Sequence, residues 1–234
     1  MPNSGAHTVT AFDDDLDALR GRVAALGGAA EAAVREAMEA LFRLDPGLAA
    51  HALARARSVA TGAEDVERRG ICLIALRAPR ADDLREVLAA LKIVGLIERV
   101  AEHARGIAAA AAPVGTRNIA PPPALGTLAR LALDAVRAAL DAFAARDASA
   151  SEPVDAASHQ AEELYGLLLE DALGRMRRDP RAIGAGTSLL LVARSLSRIA
   201  DQAANIGRAV SFSVTGQPAA PVRREPADML AKAS

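Results

Sequence analysis

Cysteine and aromatic residues are scarce in this sequence, which has one cysteine, no tryptophan, one tyrosine and four phenylalanines among 234 residues. A single cysteine excludes a disulfide framework and a zinc site built from several cysteines. Because aromatic rings are so few, alanine, leucine, isoleucine and valine must fill the core, and alanine has the highest helix propensity. The composition therefore predicts an all-helical protein. Cys72, within the segment ICLIAL, is expected to be a small buried core residue.

The sequence also lacks an excess of charge and long apolar runs. Its formal net charge is −1, and it has no strongly basic stripe, which argues against binding to nucleic acid. No run of about 18 strongly apolar residues predicts a transmembrane helix. The first residues lack the basic and apolar segments of a secretory signal, so the expected location is the cytoplasm.

Apolar residues recur every three or four positions in six segments, a spacing that predicts six amphipathic α-helices. Proline and glycine fall mostly between these segments, where they predict turns. Residues 1–10 are polar and are expected to be a frayed end. The predicted helices span residues 11–44, 48–76, 82–112, 125–146, 154–178 and 183–214.

The two halves of the sequence repeat each other. Residues 98–102 read ERVAE, and residues 197–201 read SRIAD. The tripeptide PRA at residues 79–81 likewise returns at residues 180–182, so the offset stays near 100 residues. A repeat with a constant offset indicates an internal duplication.

Three successive prolines, Pro121 to Pro123, mark the boundary between the halves, because a helix cannot continue through them. Short turns within each half favour antiparallel neighbouring helices. The joint is expected to let the halves move relative to one another. The sequence thus predicts two three-helix bundles and a flexible tail, over residues 11–112, 124–215 and 216–234.

Several segments in order resemble the PhoU family, the accessory proteins of phosphate-specific transport. They read FDDDLDALRGRVAALGG, LREVLAALKIVGLIERVAEHARGIA and SLLLVARSLSRIADQAANIGRAV. The resemblance implies an all-α fold of two tandem, pseudo-symmetric bundles of three long antiparallel helices. It also implies a regulator without enzymatic activity that represses phosphate uptake and the phosphate-starvation response. The implied partners are the phosphate ABC transporter ATPase and a sensor histidine kinase, at the inner face of the plasma membrane, and a second copy of the chain.

The resemblance further implies an acid-x-x-x-Asp motif that can bind metal on the third helix of each bundle. This sequence has Glu98 and Glu102 in the first motif and Asp201 in the second, where Ser197 replaces an acid. Residues four apart share a helix face, and carboxylates suit magnesium, manganese, iron or zinc. His103 follows the first motif and offers an additional nitrogen ligand.

Other features weaken the metal interpretation. Ala60 and Ala63 stand on the second helix where the resemblance implies further acids. Without the resemblance, Glu98 and Glu102 read as ordinary solvated carboxylates beside arginines. Metal binding is therefore expected to be weakened in the first bundle and more so in the second.

Arg99 and Arg198 occupy matching positions in the two halves. One interpretation is structural, with each arginine paired to an acid on a neighbouring helix, and the other is contact with a partner. Two further functions stay open. One is a PhoU-like paralogue that regulates a different transporter. The other is a metal-dependent helical-bundle enzyme such as a di-iron oxidase, which the lack of any Glu-x-x-His pair disfavours.

Overall fold

The computed structural model describes the backbone of residues 4–116 and 120–217, and the side chains of residues 12–111 and 120–217. Its six long helices confirm the predicted all-α fold. Short 3₁₀ turns precede the fifth and sixth helices. No helix within the described ranges is long and apolar enough to span a membrane. The helices are α1 (Ser4–Arg43), α2 (Pro46–Arg77), α3 (Ala81–Thr116), α4 (Pro123–Ala145), α5 (Ser151–Arg178) and α6 (Ile183–Thr215).

Two helix boundaries differ from the predictions by four residues or more. Helix α1 begins at Ser4, so the backbone of residues 4–10 is helical rather than frayed. Helix α3 continues through Pro113 to Thr116. A proline removes one backbone hydrogen bond, and near the end of a helix of 36 residues that loss does not stop the helix. Residues 218–234 of the predicted tail lie outside the described residues.

The turns that lead from α1 to α2 and from α4 to α5 repeat the same local structure. Leu44 and Arg146 have φ values of 56° and 55°, in the left-handed region. The next residues, Asp45 and Asp147, donate their N–H groups to the carbonyls five residues earlier. Each aspartate then accepts a hydrogen bond from the backbone N–H two residues ahead, at 2.7 and 2.8 Å. Both turns thus combine a left-handed helix end with an aspartate N-cap.

The buried core runs without a break through both halves. Within each half the three helices pack against one another, and between the halves α3 packs along α6 while α1 packs against α4. Val23, Ile93 and Ile97 of the first half lie in the same hydrophobic cluster as Leu196 and Ile199 of the second. Such a shared core does not favour the predicted movement between bundles.

The prediction that Cys72 is buried is wrong. Helix α2 buries Val66, Gly70 and Leu73, which follow one another at steps of four and three residues. Cys72 lies off that face and is exposed. Ile71 beside it is 60% exposed. The apolar run ICLIAL was therefore not a guide to burial, because only one side of the helix faces its neighbours.

Candidate functional site

In the second bundle a row of carboxylates lies between α5 and α6. Glu162 of α5 accepts a hydrogen bond of 2.6 Å from Ser197 Oγ. Arg194 Nη1 lies 3.1 and 3.3 Å from the two Glu162 oxygens. The Arg194 guanidinium also lies over the ring of Tyr165, 5.0 Å from its centroid. Glu162 is thereby held by an arginine and a serine of α6.

Asp201 lies one turn further along α6 and is only 8% exposed. Its Oδ1 accepts from Ser158 Oγ of α5 at 3.1 Å, and its Oδ2 accepts from Arg198 Nη1 at 3.2 Å. Arg198 therefore pairs with an acid, as one interpretation predicted, but the acid is on its own helix. Asp201, a predicted metal ligand, has both oxygens occupied by protein donors.

Asp155 completes the row. Arg208 Nη1 donates to Asp155 Oδ1 at 2.5 Å, and Arg208 Nη2 donates to Asn205 Oδ1 at 2.9 Å. Each carboxylate of the row thus has one arginine of α6 as its counter-ion. We call this set the α5/α6 seam; its charged members are Asp155, Glu162, Asp201, Arg194, Arg198 and Arg208.

The first bundle arranges its carboxylates differently. Burial raises the pKa of Glu98, and the negative charges of Glu67, Glu102 and Glu64 raise it further. Two of these neighbours, Glu64 and Glu67, lie on α2. None of the four carboxylates forms an ion pair with another described residue. We call this set the glutamate cluster.

Sequence reasoning missed Glu64 and Glu67 because it looked for acids at Ala60 and Ala63. The available signal was the antiparallel arrangement of α2 and α3, which the short turn between them predicts. In the structure Gly70 of α2 lies against Leu91 of α3. That register places residues near 63 of α2 beside residues near 98 of α3.

A groove of about 680 Å³ runs beside Glu98 between α2 and α3. Small residues on its walls leave the space open, among them Ala60 and Gly95. No cation of the groove forms an ion pair within the described part of the chain. The structural interpretation of Arg99 is therefore wrong, since no acid on a neighbouring helix pairs with it there. The cations are Arg57, Lys92, Arg99 and Arg105.

His103 lies where α3 meets α6. Burial lowers the pKa of His103, and the positive charges of Arg198 and Arg99 act in the same direction. The negative charges of Glu102 and Asp201 oppose them. His103 is thus placed between the two acidic motifs.

The donor groups of the two bundles differ in how well they suit a metal ion. Within residues 12–111 and 120–217, no group of three or more His, Cys, Asp or Glu side chains converges so as to hold a metal. The carboxylates of the α5/α6 seam already have arginine and serine donors and do not fit a cation. Glu98 and Glu102 have oxygen donors without a paired positive charge, which is the donor chemistry that hard cations require.

Comparison with known protein families finds the PhoU domain twice in this chain, over residues 23–111 and 125–210. A phosphate-specific transport system accessory protein PhoU homolog of Zymomonas mobilis subsp. mobilis is 37% identical over 226 residues. The match covers 96% of this chain and 95% of the relative. The homolog with the same description from Caulobacter vibrioides is 34% identical, and the match covers 90% and 93% of the two chains.

Solved structures have the same architecture. The crystal structure of PhoU from Pseudomonas aeruginosa matches with a TM-score of 0.84 at 29% identity, over 88% of this chain and 100% of that one. The phosphate transport system regulatory protein PhoU from Streptococcus pneumoniae matches with a TM-score of 0.84 at 26% identity. That match covers 89% and 99% of the two chains.

Proposed function

This chain belongs to the PhoU family, and from that premise we propose that it negatively regulates phosphate uptake and phosphate-starvation signalling. It does so by binding the ATPase of the phosphate ABC transporter and the sensor histidine kinase. The observation that carries the proposal is the PhoU domain matched in both halves, together with full-length relatives described as phosphate transport accessory proteins. The chain acts in the cytoplasm, at the inner face of the membrane, and reaches that face through its partners.

The contact surface in this proposal is the groove between α2 and α3. Its unpaired cations, Arg57, Arg99 and Arg105, line open space next to small residues. Glu98 and Glu102 line the same groove. With a cation bound to them, the groove would attract an acidic segment of a partner, because complementary charge favours association and fixes orientation. Arg198 is not part of this surface, because it lies on α6, does not line the groove and is paired with Asp201.

The proposal includes a cation site at Glu98 and Glu102. Its support is the glutamate cluster, in which burial and the charges of Glu67, Glu102 and Glu64 raise the pKa of Glu98, and in which no carboxylate has a paired cation among the described residues. A divalent ion such as magnesium, manganese, iron or zinc would supply the missing positive charge. Neither carboxylate is assigned a catalytic role.

The proposal also assigns the chain no enzymatic activity. Di-iron bundles bring Glu and Glu-x-x-His pairs from four helices to one point, and the sequence has no such pair. A second candidate is regulation of a different transporter by a PhoU-like paralogue, which the replacement of an acid by Ser197 favours. The choice between the two depends on which ATPase is bound.

Self-association into a homodimer is part of the proposal. Its support is the apolar surface that α2 leaves in solvent, where Ile71 is 60% and Leu76 is 82% exposed. Large exposed apolar side chains are a feature of interaction surfaces. Light scattering over a range of concentrations tests this part, and a monomer at every concentration would contradict it.

The partner contacts are tested by biolayer interferometry with the purified ATPase and the purified kinase cytoplasmic domain from the same genome. We expect both to bind the full chain, and we expect Arg99→Glu to weaken binding at least tenfold. Arg177→Glu is the matched control, because Arg177 is an exposed arginine of α5 that does not line the groove, and this variant should bind as the unchanged protein does. Lack of binding to both partners would contradict the proposal.

A further inference from the structure

We infer that the second bundle neutralises its metal-motif carboxylates with arginines of its own and binds no metal ion at the α5/α6 seam. The seam is where the resemblance implied a cation. Its carboxylates instead receive guanidinium and hydroxyl donors. This inference does not depend on the transporter or the kinase.

The first observation is that the carboxylate oxygens are occupied. Asp201 Oδ1 and Oδ2 accept from Ser158 and Arg198 at 3.1 and 3.2 Å. Glu162 accepts from Arg194 through both oxygens, and its Oε2 also accepts from Ser197. A hard divalent cation needs several free oxygen ligands. It would have to displace these donors and would then lie beside the displaced positive charges.

The second observation is burial. Asp201 is 8% exposed, and an ionised carboxylate at such a position needs a nearby counter-charge. Arg198 supplies that charge from one turn away on the same helix. Because it is covalently part of α6, this counter-charge is present at every metal concentration.

The third observation is a pair of exchanges between the halves. With the repeat offset that aligns Arg99 with Arg198, Gly95 aligns with Arg194 and Glu98 aligns with Ser197. Gly95 opens the groove in the first bundle, whereas Arg194 reaches Glu162 in the second. Arg194 adds one positive charge relative to Gly95, and Ser197 removes one negative charge relative to Glu98, so each exchange raises the net charge of the second bundle by one. Together they supply the charge of one divalent cation.

The test uses the full chain carrying Glu98→Gln and Glu102→Gln, which removes the candidate site of the first bundle. Manganese(II) alone is the probe, and bound metal is counted from the loss of the free-ion signal in electron paramagnetic resonance. We expect no manganese to bind this variant with a Kd tighter than about 1 mM. Binding that disappears when Asp201→Asn is added would overturn the inference.

A gain-of-binding variant makes the test two-sided. Adding Arg194→Gly and Ser197→Glu to the same background transfers the residues of the first bundle to the seam. We expect this variant to bind one manganese ion and to gain thermal stability with manganese. A folded variant, checked by circular dichroism, that binds none would overturn the claim that the exchanges replace a cation. If it does not fold, the comparison with Asp201→Asn decides alone.

Discussion

Gly27 of α1 lies directly against Leu140 of α4, so that a Cβ atom at Gly27 would overlap Leu140 Cδ1 and lie 3.2 Å from Cδ2. The two residues belong to different halves of the chain. Their contact shows that the halves approach closely along α1 and α4. The missing side chain at Gly27 is what permits this approach.

We predict that Gly27→Ala lowers the free energy of unfolding by about 1–3 kcal/mol, because the new methyl group overpacks the core at Leu140. Gly28→Ala is the matched control. A Cβ atom at Gly28 meets nothing within 4 Å, so this change should stabilise the helix by roughly 0.5–1 kcal/mol. Urea unfolding of both variants measures the difference, and equal effects would contradict the predicted contact. Adding Leu140→Ala should remove the part of the loss that comes from overlap.

Glu86 predicts a second measurable effect at the contact between halves. This carboxylate of α3 is 3% exposed and lies 3.2 Å from Arg20 Nε of α1 and 3.3 Å from Arg146 Nη2 at the end of α4. Neither contact has hydrogen-bond geometry, so the two guanidinium groups stabilise Glu86 by charge. We predict that Arg20→Met costs about 1–3 kcal/mol, because it leaves the buried carboxylate with one counter-ion.

Arg22→Met is the control for that change, since Arg22 and Asp65 form an exposed pair at 3.5 Å. Its effect should stay within about 0.5 kcal/mol. Adding Glu86→Gln to Arg20→Met should recover part of the stability, because the uncompensated charge is then gone. If Arg20→Met lowers the free energy of unfolding by the same amount in the Glu86→Gln background as in the unchanged protein, then charge is not the cause of the loss.

The Asp147 cap predicts a dependence of stability on pH. Hydrogen bonds from Ser149 lower the pKa of Asp147 below its ordinary value of 3.8. The folded state therefore holds this proton less tightly than the unfolded state does. The resulting stabilisation is fully present above that ordinary value and is lost as the pH falls through the lowered one.

We predict that Asp147→Ala lowers the melting temperature at pH 7 and that this difference shrinks in strong acid. Asp147→Asn, which keeps the capping oxygen, should melt near the unchanged protein at pH 7. Differential scanning fluorimetry of the three proteins across pH checks both statements. A difference between Asp147→Ala and the unchanged protein that is constant with pH would argue against a charged cap.

Metal removal tests the cation site proposed for the first bundle. We predict that manganese raises the melting temperature of the unchanged protein and that a chelator reverses the rise. Glu98→Gln combined with Glu102→Gln should remove the response, because both proposed ligands lose their charge. A Glu163→Gln variant is the control, since Glu163 is an exposed carboxylate outside the glutamate cluster. The same response in the double variant would place the metal elsewhere.

The sequence was sufficient to predict the helices, which follow from hydrophobic periodicity, and the duplication, which follows from the repeat. The apolar spacing within each segment predicts the six helices, and residues 98–102 and 79–81 match residues 197–201 and 180–182. The sequence also placed Glu98 and Glu102 on one helix face, and the charges that act on Glu98 agree with their proximity. The domain limits and the metal ligands stay predictions.

The partners of the second motif could not be predicted in the same way. Which residue of α5 meets Ser197 or Asp201 depends on the rotation and register of two packed helices, and hydrophobic spacing does not determine either with single-residue accuracy. Glu162 and Ser158 were therefore missed as neighbours of the motif. The predicted burial of Cys72 was wrong for a related reason, since a short apolar run does not reveal which of its residues face the core.

The most direct test of the account is a phosphate-starvation reporter in a strain that lacks this gene. With ample phosphate, we predict that the reporter is strongly expressed in the deletion strain and is repressed again by the restored gene. The gene carrying Arg99→Glu should restore repression poorly, and the gene carrying Arg177→Glu should restore it fully. A reporter that stays repressed in the deletion strain would contradict the claim that this PhoU-family protein is a negative regulator of phosphate signalling.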